Sequence, residues 1–290
     1  MPTGFANPWE HVRLYSDAPR NDAMIALLAR RAPGARVVEV GCGTGLLSCV
    51  AARLGARHVV AIEPTPLATV AAELVAANGL SHLVEVVHAR VEDVPPRPVD
   101  LAFSELLNAD PFSEGVLPAM AAVAPWVSPT GGLLAPRRLR VWAALARASG
   151  SAREARLARA QVRGIGARYD LVTGPLEACL DTPLAYVSVT TTEPPAGPAA
   201  LAWSLALGTD ARPAPVTLAL TAAEAGPLAG VLLWFDAELD AGLILANPPG
   251  AGGHWGQLLC AFADERGVRA GDVVTVSLAV EGSAVVARFG

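Results

Sequence analysis

From Asp22 to Asp100 the apolar positions alternate between two rhythms. "DAMIALLARR", "GLLSCVAARLG" and "PLATVAAELVAANG" place them every three to four residues, the spacing of one helix face. Gly55 closes the second of these segments, and Asn78-Gly79 closes the third. Between them, "RVVEV", "HVVAIE", "VEVVHA" and "VDLAFSE" are short apolar runs of strand length. Strands alternating with helices predict a parallel, doubly wound, Rossmann-like sheet. After Pro136 the rhythm changes. "RRLRVWAALAR", "LAYVSVTTT", "LAWSLAL", "PVTLALTA", "GVLLWFDAEL", "QLLCAFA" and "VVTVSLAVEG" are β segments separated by Pro, Gly and Asp turns. They predict a C-terminal β-barrel or sandwich, and divide the chain into an α/β domain, 1–136, and a β domain, 137–290.

Composition narrows the setting. Of 290 residues, 52% are hydrophobic and 17% charged, which suits a well-packed globular chain. All 22 basic residues are arginine, and with the abundant Ala, Gly and Pro this reads as the codon bias of a GC-rich bacterial genome. The net charge of -5 and the absence of a basic run argue against a nucleic-acid partner. Arg153 to Arg168 is dense in arginine but carries Glu154, and reads as an exposed helix. Two uncharged stretches, 115–136 and 241–263, have the length of a membrane span, but Pro118, Pro125, Pro129, Pro248 and Pro249 break them. The N-terminus has no basic segment leading into an apolar one, so no secretory signal is expected. Cys42, Cys49, Cys179 and Cys260 fit no metal or disulfide spacing, as expected of free thiols in a reducing cytoplasm.

"VVEVGCGTGLL" is a strand, a glycine loop and a helix start. Gly41, Gly43 and Gly45 let the chain turn tightly and let a ligand approach the backbone, beside the free N–H groups of the helix. A dinucleotide fingerprint would need its third glycine at Leu46. The spacing here is G-x-G-x-G preceded by Glu39, the form found in class I S-adenosylmethionine methyltransferases. Glu63 ends the second strand, where a carboxylate can accept both ribose hydroxyls. Glu39 itself is expected to have the simpler role of bonding loop amides. "LAFSELLNADPFSEG" sets Glu105 and Glu114 nine residues apart in apolar surroundings. A carboxylate so placed must find a cation or hold a proton, unless each merely caps a helix or faces solvent.

Together these residues resemble the protein arginine methyltransferases along nearly the whole chain. "VEVGCGTGLLSCVAARLGARHVVAIE" is similar to that family's cofactor segment, and "SELLNADPFSEG" to its double-glutamate loop. "GGHWGQ" is similar to its threonine-histidine-tryptophan loop, with Gly253 in place of threonine. "HVRLYSDAPRN" resembles the segment that closes over the cofactor, and "VEDVP" the one that touches adenine. The resemblance implies S-adenosylmethionine as cofactor, with His11 nearby, Arg20 on its carboxylate, Gly41 and Gly43 along its methionine and ribose, Glu63 on the ribose, and Val91 and Glu92 at the adenine. It implies that Glu105 and Glu114 clamp a substrate guanidinium, that His254 pairs with Asp17 at the mouth, and that Trp255 helps wall the arginine channel. It further implies a homodimer built through an arm between Ala152 and Leu176.

Leu107, Asn108 and Ala109 stand where the family commonly has aromatic residues. "DAPRN" and the "SEG" ending look closer to the monomethylating branch. The acceptor expected is free L-arginine, another small guanidine, or an arginine in a peptide or protein. The alternatives are a methyltransferase acting on a different nitrogen or oxygen of a small molecule, and a silent cofactor-binding scaffold.

Overall fold

The fold is seen in a computed structural model that describes residues 13–147, 161–174, 186–189 and 193–290. Five parallel strands form the first sheet: β1 (Arg36–Val40), β2 (His58–Ile62), β3 (Val84–Val87), β4 (Leu101–Ser104) and β5 (Leu133–Ala135). Their order is β3-β2-β1-β4-β5, so the chain reverses direction across the sheet between β1 and β4. Both faces of β1, β2 and β4 are covered, which is why their sequences are continuous apolar runs rather than alternating ones. The covering helices are α1 (Ala18–Arg31), α2 (Leu46–Arg53), α3 (Leu67–Ala77) and α4 (Val116–Val123). In α1 the stripe Met24, Leu27 and Leu28 is buried, while Arg30 and Arg31 complement the dipole of its last turn. Asp17 caps its start by accepting from the Arg20 N–H at 3.0 Å.

Beyond Ala135 the strands run antiparallel: β6 (Arg138–Arg147), β7 (Tyr186–Val189), β8 (Ala200–Ala206), β9 (Val216–Thr221), β10 (Gly226–Asp240), β11 (Leu243–Ala246), β12 (Gln257–Val268), β13 (Val273–Glu281) and β14 (Ala284–Phe289). One sheet follows β7-β12-β10-β6-β8, with β11 on β10; the other is β14-β13-β9. The C-terminal part expected from the sequence thus consists of two antiparallel sheets. They share one apolar core with the parallel sheet. β10 shifts register between Leu228 and Gly230, where a Cβ on Gly230 would lie 2.1 Å from the Cys260 carbonyl oxygen.

Three strands and one helix were not legible as patterns. β5 is three residues long, β11 lies in the Gly- and Pro-rich stretch after Ala241, and β14 follows a tight turn at Gly282. Pro118 disguised α4, but it sits in the first turn, where no helical N–H is lost. Residues 161–169 of the arginine-rich segment are helical and mostly exposed, as expected; the rest of that segment lies outside the described residues. Among the described residues no helix is long and apolar enough to cross a membrane.

Candidate active site

Open α/β sheets bind ligands beyond the carboxyl ends of their strands, at the point where strand order reverses. Four adjacent strands here each deliver one site segment at that edge. After β1 comes the loop Gly41–Gly45, with left-handed φ at all three glycines. After β2 comes Glu63, whose carboxylate accepts from the N–H of Gly43 at 2.8 Å and of Thr65 at 2.9 Å. It therefore shapes the glycine loop as well as facing the cavity. After β3 comes a short 3-10 turn, Val91–Asp93, and after β4 comes Glu105. All four line one cavity of about 530 Å³, together with Leu14, Tyr15, Arg20, Glu92, Asn108 and Glu114. Tyr15 Oη meets Thr44 Oγ1 across its mouth. A Cβ on Gly41 would fall 2.6 Å from Leu106 Cδ2, so the glycine loop and the loop carrying Glu105 pack directly on each other.

The acid end of the cavity is short of positive charge. Arg20 directs Nε at Glu105 Oε2 (2.6 Å), brings Nη2 to the same oxygen, and donates through Nη1 to Asn21 Oδ1. That leaves Glu105 Oε1 and Glu114 Oε1 buried with no hydrogen-bond partner among the described residues. Burial pushes the Glu105 carboxyl up, against the pull of Arg20. Glu114 is pushed well up by burial and then by the charge of Glu105, with Arg20 and a hydrogen bond from Asn108 opposing. Glu39 is buried beside them, bonds the Ser48 hydroxyl, and is pushed to about 8 by burial. Its partner is Ser48 of α2, through hydroxyl and backbone, rather than the glycine loop.

His254 stands on the loop between β11 and β12. Asp17 Oδ2 accepts from its backbone N–H at 2.9 Å and pairs with its Nδ1 at 2.8 Å. Asp17 is thus both a helix cap and the partner of His254. Gly253 makes room for it, since a Cβ there would lie 3.0 Å from Asp17 Oδ2. Burial lowers His254 below the ordinary imidazole value, despite Asp17, so the ring is neutral at pH 7. Trp255 is buried against Phe235, with ring centroids 5.4 Å apart, and its indole N–H donates to the Leu107 carbonyl at 2.8 Å. Neither Trp255 nor the Asp17–His254 pair is among the described residues that line the cavity. Trp255 reaches the site through the loop it holds. His11 lies outside the described residues.

The sequence did not single out the residues that anchor the Glu105–Glu114 loop. Asp110 is buried and accepts from the N–H of Phe112 at 3.1 Å and of Val285 on β14 at 2.9 Å. Phe112 meets Trp203 of β8 edge to face at 5.8 Å. The signal was an aspartate between the two glutamates, but its partner lies 175 residues away.

The cavity suits an adenosine-bearing sulfonium cofactor. It runs from the 3-10 turn past Glu63 to the acid end, where two buried carboxylate oxygens await donors. The family described as Ribosomal protein L11 methyltransferase (PrmA) matches residues 23–133. An Arginine N(omega)-methyltransferase of Streptomyces achromogenes subsp. streptozoticus is 29% identical over 93% of this chain and 76% of its own length. A Probable protein arginine N-methyltransferase 6.1 of Oryza sativa subsp. indica is 40% identical, over 43% of this chain and 34% of its own length. The chain therefore spans about a third of that relative. In fold it is similar to protein arginine methyltransferase 10 of Arabidopsis thaliana, with TM-score 0.79, 23% identity, and coverage of 95% of this chain and 88% of that one. It is also similar to a Trypanosoma brucei PRMT1 enzyme-prozyme heterotetrameric complex with AdoHcy, with TM-score 0.75, 20% identity and the same two coverages. A glycine loop closed by Glu63 and a buried acid pair facing the same cavity thus stand in a chain that is similar, in sequence and in fold, to arginine methyltransferases.

Proposed function

We propose that this chain transfers one methyl group to a guanidinium nitrogen of arginine, and that Glu105 and Glu114 hold that guanidinium. The observation that carries the reading is the pair of buried, unpartnered oxygens, one from each acid, in one cavity. A guanidinium, with a pKa of about 13.8, is a cation at neutral pH and presents its N–H donors in a planar fork. Two carboxylates can grip that fork from different edges and fix one terminal nitrogen. S-adenosylmethionine, when bound, supplies an electrophilic methyl on a sulfonium. Gly41 and Gly43 would flank its methionine and ribose, Glu63 would accept from the ribose, and Val91 and Glu92 would meet the adenine. Arg20 would serve both its carboxylate and Glu105.

The nitrogen that gains a methyl must lose a proton. Glu114 lines the cavity and has a raised affinity for protons, so it is the nearer acceptor; neutral His254, held by Asp17, is the alternative. Trp255 would act on the substrate channel through the loop it anchors.

A small acceptor, free L-arginine or a short peptide, is the favoured class. The relative that aligns along 93% of the chain is called an arginine methyltransferase, and the rice relative called a protein arginine methyltransferase aligns along 43%. Cytoplasmic location and a homodimer built through the 152–176 arm belong to the same reading. So does the division into a cofactor domain, 1–136, and a substrate domain, 137–290.

The test supplies methyl-labelled cofactor with free L-arginine and, separately, an arginine peptide pool, and reads the products by mass. Monomethylarginine from the wild type is expected. In Glu105→Gln or Glu114→Gln, kcat/KM should fall about 100-fold or more, the cost of leaving a buried cation half-gripped. Undiminished turnover in both variants would sink the guanidinium assignment in favour of another acceptor.

A further inference from the structure

The loop that carries His254 and Trp255 is tied shut at its feet by two buried amides. It runs from Pro248 to Gly256 between β11 and β12, and holds Gly250, Gly252, Gly253 and Gly256. Glycine gives up the most backbone freedom on ordering, so such a loop needs an outside hold to keep one shape. At its first foot, Asn247 leaves the pairing of β11 with β10. An antiparallel pair normally exchanges two backbone bonds. Here the Asn247 N–H donates to the Phe235 carbonyl at 3.2 Å, but the Phe235 N–H donates to the side-chain Oδ1 of Asn247 at 2.8 Å. The freed Asn247 carbonyl accepts from Gln257 Nε2 at 3.0 Å, and the Pro248 carbonyl accepts from the same nitrogen at 3.2 Å. In the other direction, Asn247 Nδ2 donates to the Gly256 carbonyl at 2.7 Å. Each foot thus holds the other through a side-chain amide, and both residues are buried, Asn247 being 1% and Gln257 2% exposed.

What these amides fix reaches Glu105 from two sides. Trp255, next to Gly256, packs on the ring of Phe235 and donates to the Leu107 carbonyl, just beyond Glu105. His254 pairs with Asp17, the cap of α1, and the first turn of that helix brings Arg20 to Glu105. Resting on the guanidinium reading of the acid pair, we propose that Asn247 and Gln257 are positioning residues for methyl transfer, setting the loop whose Trp255 holds the Glu105 segment in place. Neither is among the described residues that line the cavity. They act through Leu107, so their effect falls on the acid pair. The glycine loop and Glu63 follow β1 and β2 and bond to each other, so the cofactor side does not depend on this hold.

The test is a double-mutant cycle on kcat/KM for arginine. Gln257→Met keeps the length of the side chain but removes its donors, and Trp255→Phe keeps an aromatic ring but removes the N–H that holds Leu107. Each single variant should lose about tenfold, the order of one buried hydrogen bond. Because both changes act on one contact, the double variant should lose little more than the worse single one. The affinity for S-adenosylmethionine, measured by calorimetry, should hold in all three. Asn247→Asp keeps the acceptor for Phe235 and withdraws the donor to Gly256, and supplies the same cycle should Gln257→Met not fold. Losses that multiply in the double variant, a lowered melting temperature with kcat/KM unchanged, or a cofactor affinity that falls as far as kcat/KM would overturn the proposal. Wild-type protein that binds cofactor but methylates no guanidine would instead overturn the reading beneath it.

Discussion

At the scale of single residues, the Asp17–His254 pair makes a prediction about acid. Burial pushes Asp17 up, but the His254 ring and the N–H groups of His254 and Arg20 pull it further down, to a net value below 3.8. A carboxylate lowered by folding contributes stability that is complete above its unfolded value and lost as pH falls through the folded one. Wild type should therefore melt higher than Asp17→Asn at neutral pH, by the equivalent of about 1–3 kcal/mol. The two curves should converge as pH drops below about 4. Curves that coincide from neutral pH into acid would mean that Asp17 acts only as a helix cap, a role asparagine fills equally well. His254 should stay uncharged from pH 7 upward, since burial holds it below the ordinary imidazole value; histidine NMR shifts that titrate above pH 7 would contradict this.

Among the elements, the loop from Glu105 to Glu114 is rooted in the parallel sheet but suspended from the antiparallel strands. Asp110 hangs it from β14, Phe112 leans on Trp203 of β8, and Trp255 holds the Leu107 carbonyl. Asp110→Ala removes an acceptor from two backbone N–H groups and should cost about 2–3 kcal/mol of stability. It should lower kcat for arginine while leaving the cofactor KM nearly unchanged; a matching loss on the cofactor side would argue against so local an effect. What could be read in the sequence follows the same division. Periodicity and Gly or Asn stops located β1, β2, α2 and α3, because each is dictated by its own residues and their covered faces. Glu63, Glu105 and Glu114 were legible because they lie just past strand ends. Asp110 was not, because its meaning rests on a strand 175 residues away. The hold of Trp255 on the loop was not legible for the same reason, since only the packing brings its indole N–H to the Leu107 carbonyl.

Across the whole molecule, the proposed arm carries apolar side chains into solvent. Ile165, Tyr169, Leu171 and Val172 are all more than half exposed, and Val172 is 91% exposed. Apolar exposure of this kind is what the proposed dimer would cover. Light scattering should give twice the 29.8 kDa of one chain, and a monomer at working concentration would remove the homodimer from the proposal. The parallel sheet and the β strands are joined at both ends of α1: Asp17 reaches across to His254 at its start, Arg31 grips Asp240 through two 2.8 Å bonds at its end, and Leu107 accepts from Trp255. Because a single cavity connects the 3-10 turn at Val91 with Glu114, both ends lie within reach of one small molecule. An adenosine tethered to a guanidine would bind its second half at the effective concentration set by the tether. Inhibitor design for this enzyme is then a matter of linker length, with two weak fragments joined rather than one potent fragment sought.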